Sequence, residues 1–173
     1  TGTHMESRIL RGHEIKDEGP DGEKSSHGLS GSIASLGLNM LRLKTGTPPR
    51  LDPASIDYSD LAIELGNEGR HAFSYDTTEF MQLKDMLPCY LTYTNEKTHK
   101  IIREHLKESA MYGGVVEGIG PRYCPSIEDK VVRFHDKPRH QLFLEPESKE
   151  FSSCYVDGLS TSMPQHVQEM IVH

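Results

Sequence analysis

Cys124 stands between Tyr123 and Pro125, with Arg122, Lys130 and Arg133 close by in the sequence. A cysteine attacks an electrophilic carbon as its thiolate, and nearby cations favour that form. Pro125, Ser126, Ile127 and Glu128 read as the opening of a helical turn, whose free N–H groups act in the same direction. Lone cysteines are also commonly small, buried and inert. The residues alone leave both readings open. Glu128 and Asp129 follow the cysteine; they could orient a base or a hydroxyl, or simply cap and solvate a turn.

Two other segments carry candidate chemistry. Gly22-Glu23-Lys24-Ser25-Ser26 runs toward a helix N-terminus, where backbone donors, a serine hydroxyl and Lys24 could hold a phosphate. An ordinary serine-capped helix explains the same residues. Leu43-Lys44-Thr45-Gly46-Thr47-Pro48-Pro49-Arg50 joins two cations and two hydroxyls to a proline-stiffened turn. It reads equally as a mount for Lys44 and Arg50 facing an anion, or as a rigid connector. The three cysteines, Cys89, Cys124 and Cys154, lie 35 and 30 residues apart. With no Cys-x-x-Cys and no HExxH, only His135 and His140 pair across a turn, so no metal is expected. GxGxxG is also missing, so these residues supply no Rossmann pyrophosphate site.

The elements that must position these groups are short. Residues 12–31 read as loop, with Ser25 or Ser26 capping a helix that runs to about Leu36. Residues 39–44 read as a strand, stopped by the two prolines. A short helix is expected over 60–65, ended by Gly66, and a strand over 89–94. Asn95 then caps the clearest helix, 96–107, with Ile101, Ile102, His105 and Leu106 as its buried stripe. Strands are expected at 115–118, 130–134, 140–145 and 153–161, with 134–140 as a hairpin connection. Pro164, after Ser162 as cap, opens a last helix through Val167 and Ile171. Helices early and strands late indicate an α+β segment with a mixed or antiparallel sheet.

At 173 residues the length suits one domain, but only 35% of residues are hydrophobic, 7% aromatic and none Trp. That is lean for a free-standing core. A net charge of −7 argues against a dominant electrostatic grip on nucleic acid. No apolar run approaches the ~20 residues of a membrane span, and three widely spaced cysteines suit a reduced, cytoplasmic protein. The abrupt start at Thr1-Gly2-Thr3 and finish at Met170–His173 read as cuts in a longer chain.

Four blocks carry a resemblance: LKTGTPPR at 43–50, PCYLTYTNEK at 88–97, GPRYCPSIEDKVVRF at 120–134, and LEP at 144–146 with GLSTSM at 158–163. On these the chain resembles the glucose-inhibited division protein A family, which modifies the wobble uridine of tRNA. The resemblance implies an FAD- and NADH-dependent enzyme, a homodimer when full-length, working with a GTPase partner. It adds a carboxymethylaminomethyl group to C5 of the uridine, using a one-carbon unit from a folate. Cys124 then matches a catalytic cysteine that adds to uridine C6. Gly120, Pro121, Arg122, Tyr123, Cys124, Pro125, Ser126, Ile127, Glu128, Asp129, Lys130, Val131, Val132, Arg133 and Phe134 match the stretch associated with nicotinamide (NAD) binding. Ser26 matches a position that contacts FAD.

The family's N-terminal GxGxxG, its other active cysteine and its helical tRNA- and GTPase-binding region have no counterpart in these 173 residues. The chain therefore reads as the central, inserted portion of a flavoprotein with two dinucleotide-binding-type domains, inactive alone. Residues 1–44 would form the edge of the FAD-binding domain with its connecting loop and helix. Residues 45–119 would be the inserted α/β region, and 120–173 the signature loop, strands and return helix. Two other readings compete: the folate- and FAD-dependent tRNA uridine C5 methyltransferase, and a non-catalytic scaffold that docks RNA or a protein.

Overall fold

The computed structural model describes residues 2–118, 120 and 123–173. Where the length suggests one domain, the chain forms two interleaved compact units. The first holds residues 1–47, 95–138 and 160–173; the second holds 48–94 and 139–159.

The second unit is a five-stranded antiparallel sheet. Its strands are β3 (Arg50–Leu51), β4 (Ala62–Glu64), β5 (Cys89–Tyr93), β6 (Gln141–Pro146) and β7 (Cys154–Asp157), in the order β3-β7-β6-β5-β4. The register sets Tyr90 opposite Leu144 and Leu144 opposite Val156. Alternation does the sorting: Leu142 and Leu144 turn inward on β6, and Cys154 and Val156 on β7. A helix was expected over 60–65, and the structure has the edge strand β4 instead. Asp57 turns the chain by accepting from the Ser59 N–H and hydroxyl (3.0 and 2.7 Å). So short a helix is marginal by itself, and the ladder to β5 supplies the backbone partners.

The first unit opens with the hairpin β1 (Ile9–Arg11) and β2 (Glu14–Lys16). Four helices follow: α1 (Leu29–Ser35), α2 (Glu96–Glu104), α3 (Ile127–Arg133) and α4 (Gln165–Val172). The core forms where α2 packs on α3 and α4, around Ile101, Ile102, Ile127, Val131, Met163 and Val167. The Asn95 side chain accepts from the Thr98 N–H at 2.9 Å, as its sequence position predicts. Asn95→Ala should therefore cost about 1 kcal/mol in chemical denaturation; an unchanged midpoint would show that packing alone sets the start of α2.

Several sequence expectations need correction. Residues 130–134 are helical, within α3: the Ser126 hydroxyl accepts from the Asp129 N–H at 3.2 Å. Glu128 and Asp129 then favour the first turn. The Val131-Val132 pair looked strand-like, but Val131 is buried and Val132 is exposed, as a helix face requires. The stretch 134–140 accordingly joins a helix to β6 rather than two strands. Residues 39–44 and 115–118 form no strand; the Val115 and Val116 N–H groups both donate to the Ala110 carbonyl. Pro164 lies just before α4 as its N-cap residue.

Neither Ser25 nor Ser26 caps α1. Its N-cap is Gly28, at φ 81°, and the carboxylate of Glu6 takes the capping role from 22 residues away. It accepts from the Gly28 N–H at 2.7 Å and the Ser30 hydroxyl at 3.3 Å. The Gly28 bond and the neighbouring His27 hold the Glu6 carboxyl below its usual range.

Candidate active site

Three stretches distant in sequence converge within the first unit: 43–47, 123–133 and 160–163. The Thr45 hydroxyl lies 3.9 Å from the Cys124 thiol. Thr47 and Thr161 form an antiparallel bridge. The Ile127 N–H, opening α3, donates to the Ser160 carbonyl at 2.7 Å. Gly46 is needed for this approach: a Cβ there would meet that of Ser160 at 3.0 Å.

Glu128 is the clamp. It is fully buried, and one carboxyl oxygen accepts from the Thr161 hydroxyl (3.0 Å), the Ser162 N–H (2.9 Å) and the Ser162 hydroxyl (3.2 Å). Among the described residues its other oxygen has no hydrogen-bond partner. Asp129 faces the opposite way. Tyr112 donates to it at 3.0 Å, Arg133 pairs with it at 3.6 Å, and Lys44 approaches to 4.0 Å. Lys44 also lies under Gly120, whose added Cβ would come within 2.7 Å of the lysine Cε.

Cys124 is thus half-buried at the start of α3, beside Thr45 and one turn before the Glu128 clamp. Pro125 continues the approach to α3, Lys130 follows Asp129 on it, and Tyr123 and Phe134 are exposed. Of the cations expected around the thiol, Arg133 is exposed and turned to Asp129. Pro121 and Arg122 lie outside the described residues. The other two thiols are poor nucleophiles: burial pushes both Cys89 and Cys154 upward. Arg50 is engaged within the second unit, with Glu147 at 2.7 Å, the Pro48 carbonyl at 3.0 Å and the Tyr155 ring at 4.5 Å. Of the two cations in its motif, Lys44 reaches the site residues.

Burial, and then the bond to Asp129, push the Tyr112 phenol up to about 12. A raised pKa stabilises the fold below the ordinary tyrosine value of about 10 and loses that contribution as pH climbs toward 12. Subtracting the alkaline absorbance titration of Tyr112→Phe from that of the parent protein should show one phenol ionising near 12. Asp129→Asn should lower that midpoint, and a difference curve centred near 10 would contradict the geometry.

The phosphate reading of 22–26 does not fit. The N-terminus of α1 is taken by Glu6, a negative group, and the helix has only seven residues. Ser26 spends its backbone on the bridge to Met5, donating to the His4 carbonyl and accepting from the Glu6 N–H. Its side chain stays half-exposed, and the adjacent Ser25 hydroxyl is buried with no partner among the described residues. This corner offers hydroxyls rather than a phosphate cradle.

The sequence matches the model of the family described as glucose inhibited division protein A across residues 1–173. The chain belongs to that family. It is 53% identical over 172 residues to the tRNA uridine 5-carboxymethylaminomethyl modification enzyme MnmG of Geobacillus thermodenitrificans, covering 99% of this chain and 27% of that protein. The MnmG of Lactiplantibacillus plantarum is 53% identical over 175 residues, covering 100% of this chain and 28% of its own length. Among solved structures, Aquifex aeolicus GidA in its form I crystal superposes with a TM-score of 0.84 at 45% identity, over 99% of this chain and 29% of that one. The form II crystal gives 0.80 at 40% identity. The chain spans little more than a quarter of the length of these relatives, and the α+β fold is theirs. The GidA motifs at 43–50, 120–134 and 158–163 all contribute to the convergence at Cys124. Those at 88–97 and 144–146 instead supply β5 and β6, whose residues 90–93 and 141–144 pair.

The sequence points to Cys124, Ser126, Glu128 and Asp129 directly, to Thr45 only as a hydroxyl of its turn and to Ser162 only as a helix cap, and not to Tyr112 or Thr161. Thr45 and the two hydroxyl residues of 161–162 do lie inside quoted motifs. Tyr112 lies in none, and only the fold brings it to Asp129.

Proposed function

We propose that this chain is the part of a wobble-uridine-modifying enzyme that presents the attacking thiol, Cys124. The observation that carries the proposal is the convergence of three family motifs on that cysteine. The names of the relatives supply the reaction: a carboxymethylaminomethyl group placed at C5 of a tRNA uridine. The full-length protein works with FAD, NADH, a folate one-carbon donor and a GTPase partner, as a cytoplasmic homodimer. No helix among the described residues is long and apolar enough to cross a membrane. The uridine methyltransferase and scaffold readings are disfavoured, because the similar curated proteins carry the carboxymethylaminomethyl name.

In this mechanism the Cys124 thiolate adds to uridine C6, and the C5–C6 π pair moves so that C5 becomes enolate-like. C5 then attacks the one-carbon unit carried as an iminium on the nitrogen of glycine, whose C=N π pair moves to that nitrogen, so the carboxymethylaminomethyl group is joined whole. Loss of the C5 proton and departure of the thiolate from C6 restore the double bond. Thr45, 3.9 Å from the sulfur, and the clamped start of α3 fix where the thiol points. In the full-length protein residues 120–134 would border a bound nicotinamide, and Ser26 would lie against a bound flavin. Flavin and nicotinamide supply the redox equivalents of the reaction when bound.

The test is product analysis with the full-length protein, its GTPase partner, GTP, tRNA, FAD, NADH, the folate one-carbon donor and glycine, the amine that the carboxymethylamino group contains. Nucleosides digested from the tRNA should contain carboxymethylaminomethyluridine. Finding methyluridine instead would establish the methyltransferase reading, and unmodified uridine the scaffold.

A further inference from the structure

Beyond this reaction, the geometry points to a divalent transition-metal site at His105, Glu108 and His166, which we propose binds zinc or a similar borderline ion. One potential ligand atom from each residue lies within 4.8 Å of the other two. His105 Nδ1 is 2.7 Å from one Glu108 oxygen, and His166 Nε2 is 3.5 Å from the other. Ligands around a tetrahedral zinc sit about 3.4 Å apart, so the second pair already has the spacing of two ligands on one ion. The first is a direct imidazole–carboxylate hydrogen bond. Two imidazoles and one carboxylate with open positions suit zinc, cobalt or nickel.

The backbone holds these groups in place from two sides. His105 ends α2, its N–H bonded to the Ile101 carbonyl, and Glu108 closes a tight turn back onto the His105 carbonyl at 2.9 Å. His166 belongs to the first turn of α4, and the two imidazole rings meet edge-on with centroids 6.0 Å apart. The site lies apart from Cys124 in its residues and contacts. Ligand spacing along the chain could not reveal it, since 61 residues separate the two histidines.

Binding needs a bare Nδ1 on His105, so the metal takes the place of its hydrogen bond to Glu108. The experiment uses full-length protein stripped with a chelator and titrated with Co2+. One equivalent should give a visible d–d spectrum without a thiolate charge-transfer band, displaced by Zn2+, and should raise the melting temperature. His166→Ala and Glu108→Gln should each weaken Co2+ binding at least about tenfold. Both residues are substantially exposed, so metal-free melting should stay unchanged in at least one variant. Absence of saturable binding, binding indifferent to both substitutions, or a cobalt–thiolate band would each overturn the assignment.

Discussion

Cys124→Ser, introduced into the full-length protein, should reduce uridine modification at least about a thousandfold, the scale seen when a covalent nucleophile is removed. A serine hydroxyl is far less acidic than a thiol and furnishes almost no anion at neutral pH, so addition to C6 stops at its first step. The change is nearly isosteric at a half-buried position. Folding and tRNA binding should therefore persist, which a filter-binding or gel-shift measurement would establish. Cys89→Ser and Cys154→Ser are the controls: burial already disfavours their thiolates, and neither should abolish turnover. Full activity in Cys124→Ser would remove the thiol from the chemistry and leave the scaffold reading.

Glu128→Ala should be as severe by another route. The substitution leaves three donors, the Thr161 hydroxyl and the Ser162 N–H and hydroxyl, without their shared acceptor. Buried donors left unmade cost about 1–3 kcal/mol each, and relaxation will recover part of that. A loss of roughly 3 kcal/mol or more in denaturation is expected. Activity should fall further than stability explains, because 160–163 and the start of α3 would part next to Cys124. Glu128→Gln separates the two effects. Its amide oxygen can accept the same three bonds, so it should retain most of the stability and the placement of the thiol. If Ala proved as benign as Gln, the clamp would not be what holds the site.

How much of this was legible in the sequence depended on whether local rules decided the outcome. Asn95 followed by the apolar pair Ile101-Ile102 fixes α2 within a few residues, since cap and stripe agree and nothing tertiary opposes them. Strands β5 and β6 were legible for the same reason. The region 130–134 was misread because Val131-Val132 has strand character while the deciding signal, Ser126 as cap, lies upstream. Residues 60–65 were misread because β4 owes its conformation to a partner strand, with Leu91 opposite Ala62 and 29 residues on. The cap of α1 was invisible, since it comes from Glu6 across a loop. At the site, Cys124 was visible as a residue type, whereas the approach of Thr45 to it and of Tyr112 to Asp129 depend on chain crossings that no window of sequence contains. Arg50 shows the converse: a cation that looked available is held by Glu147 and Tyr155.

The interleaving of the two units also bears on the order in which the chain acquires structure as it is made. The sheet unit is complete once Leu159 has been added. The helical unit must wait for Met163 and Val167, both fully buried in its core, although its residues up to 47 are made before the sheet unit begins. Units tend to fold as each becomes complete during synthesis. Thr45 and Cys124 therefore wait, made but unsupported, until Thr161 and Ser162 emerge and reach Glu128. The thiol is thus set after the sheet unit is complete, and a nascent chain that stops short of Ser162 carries no positioned nucleophile.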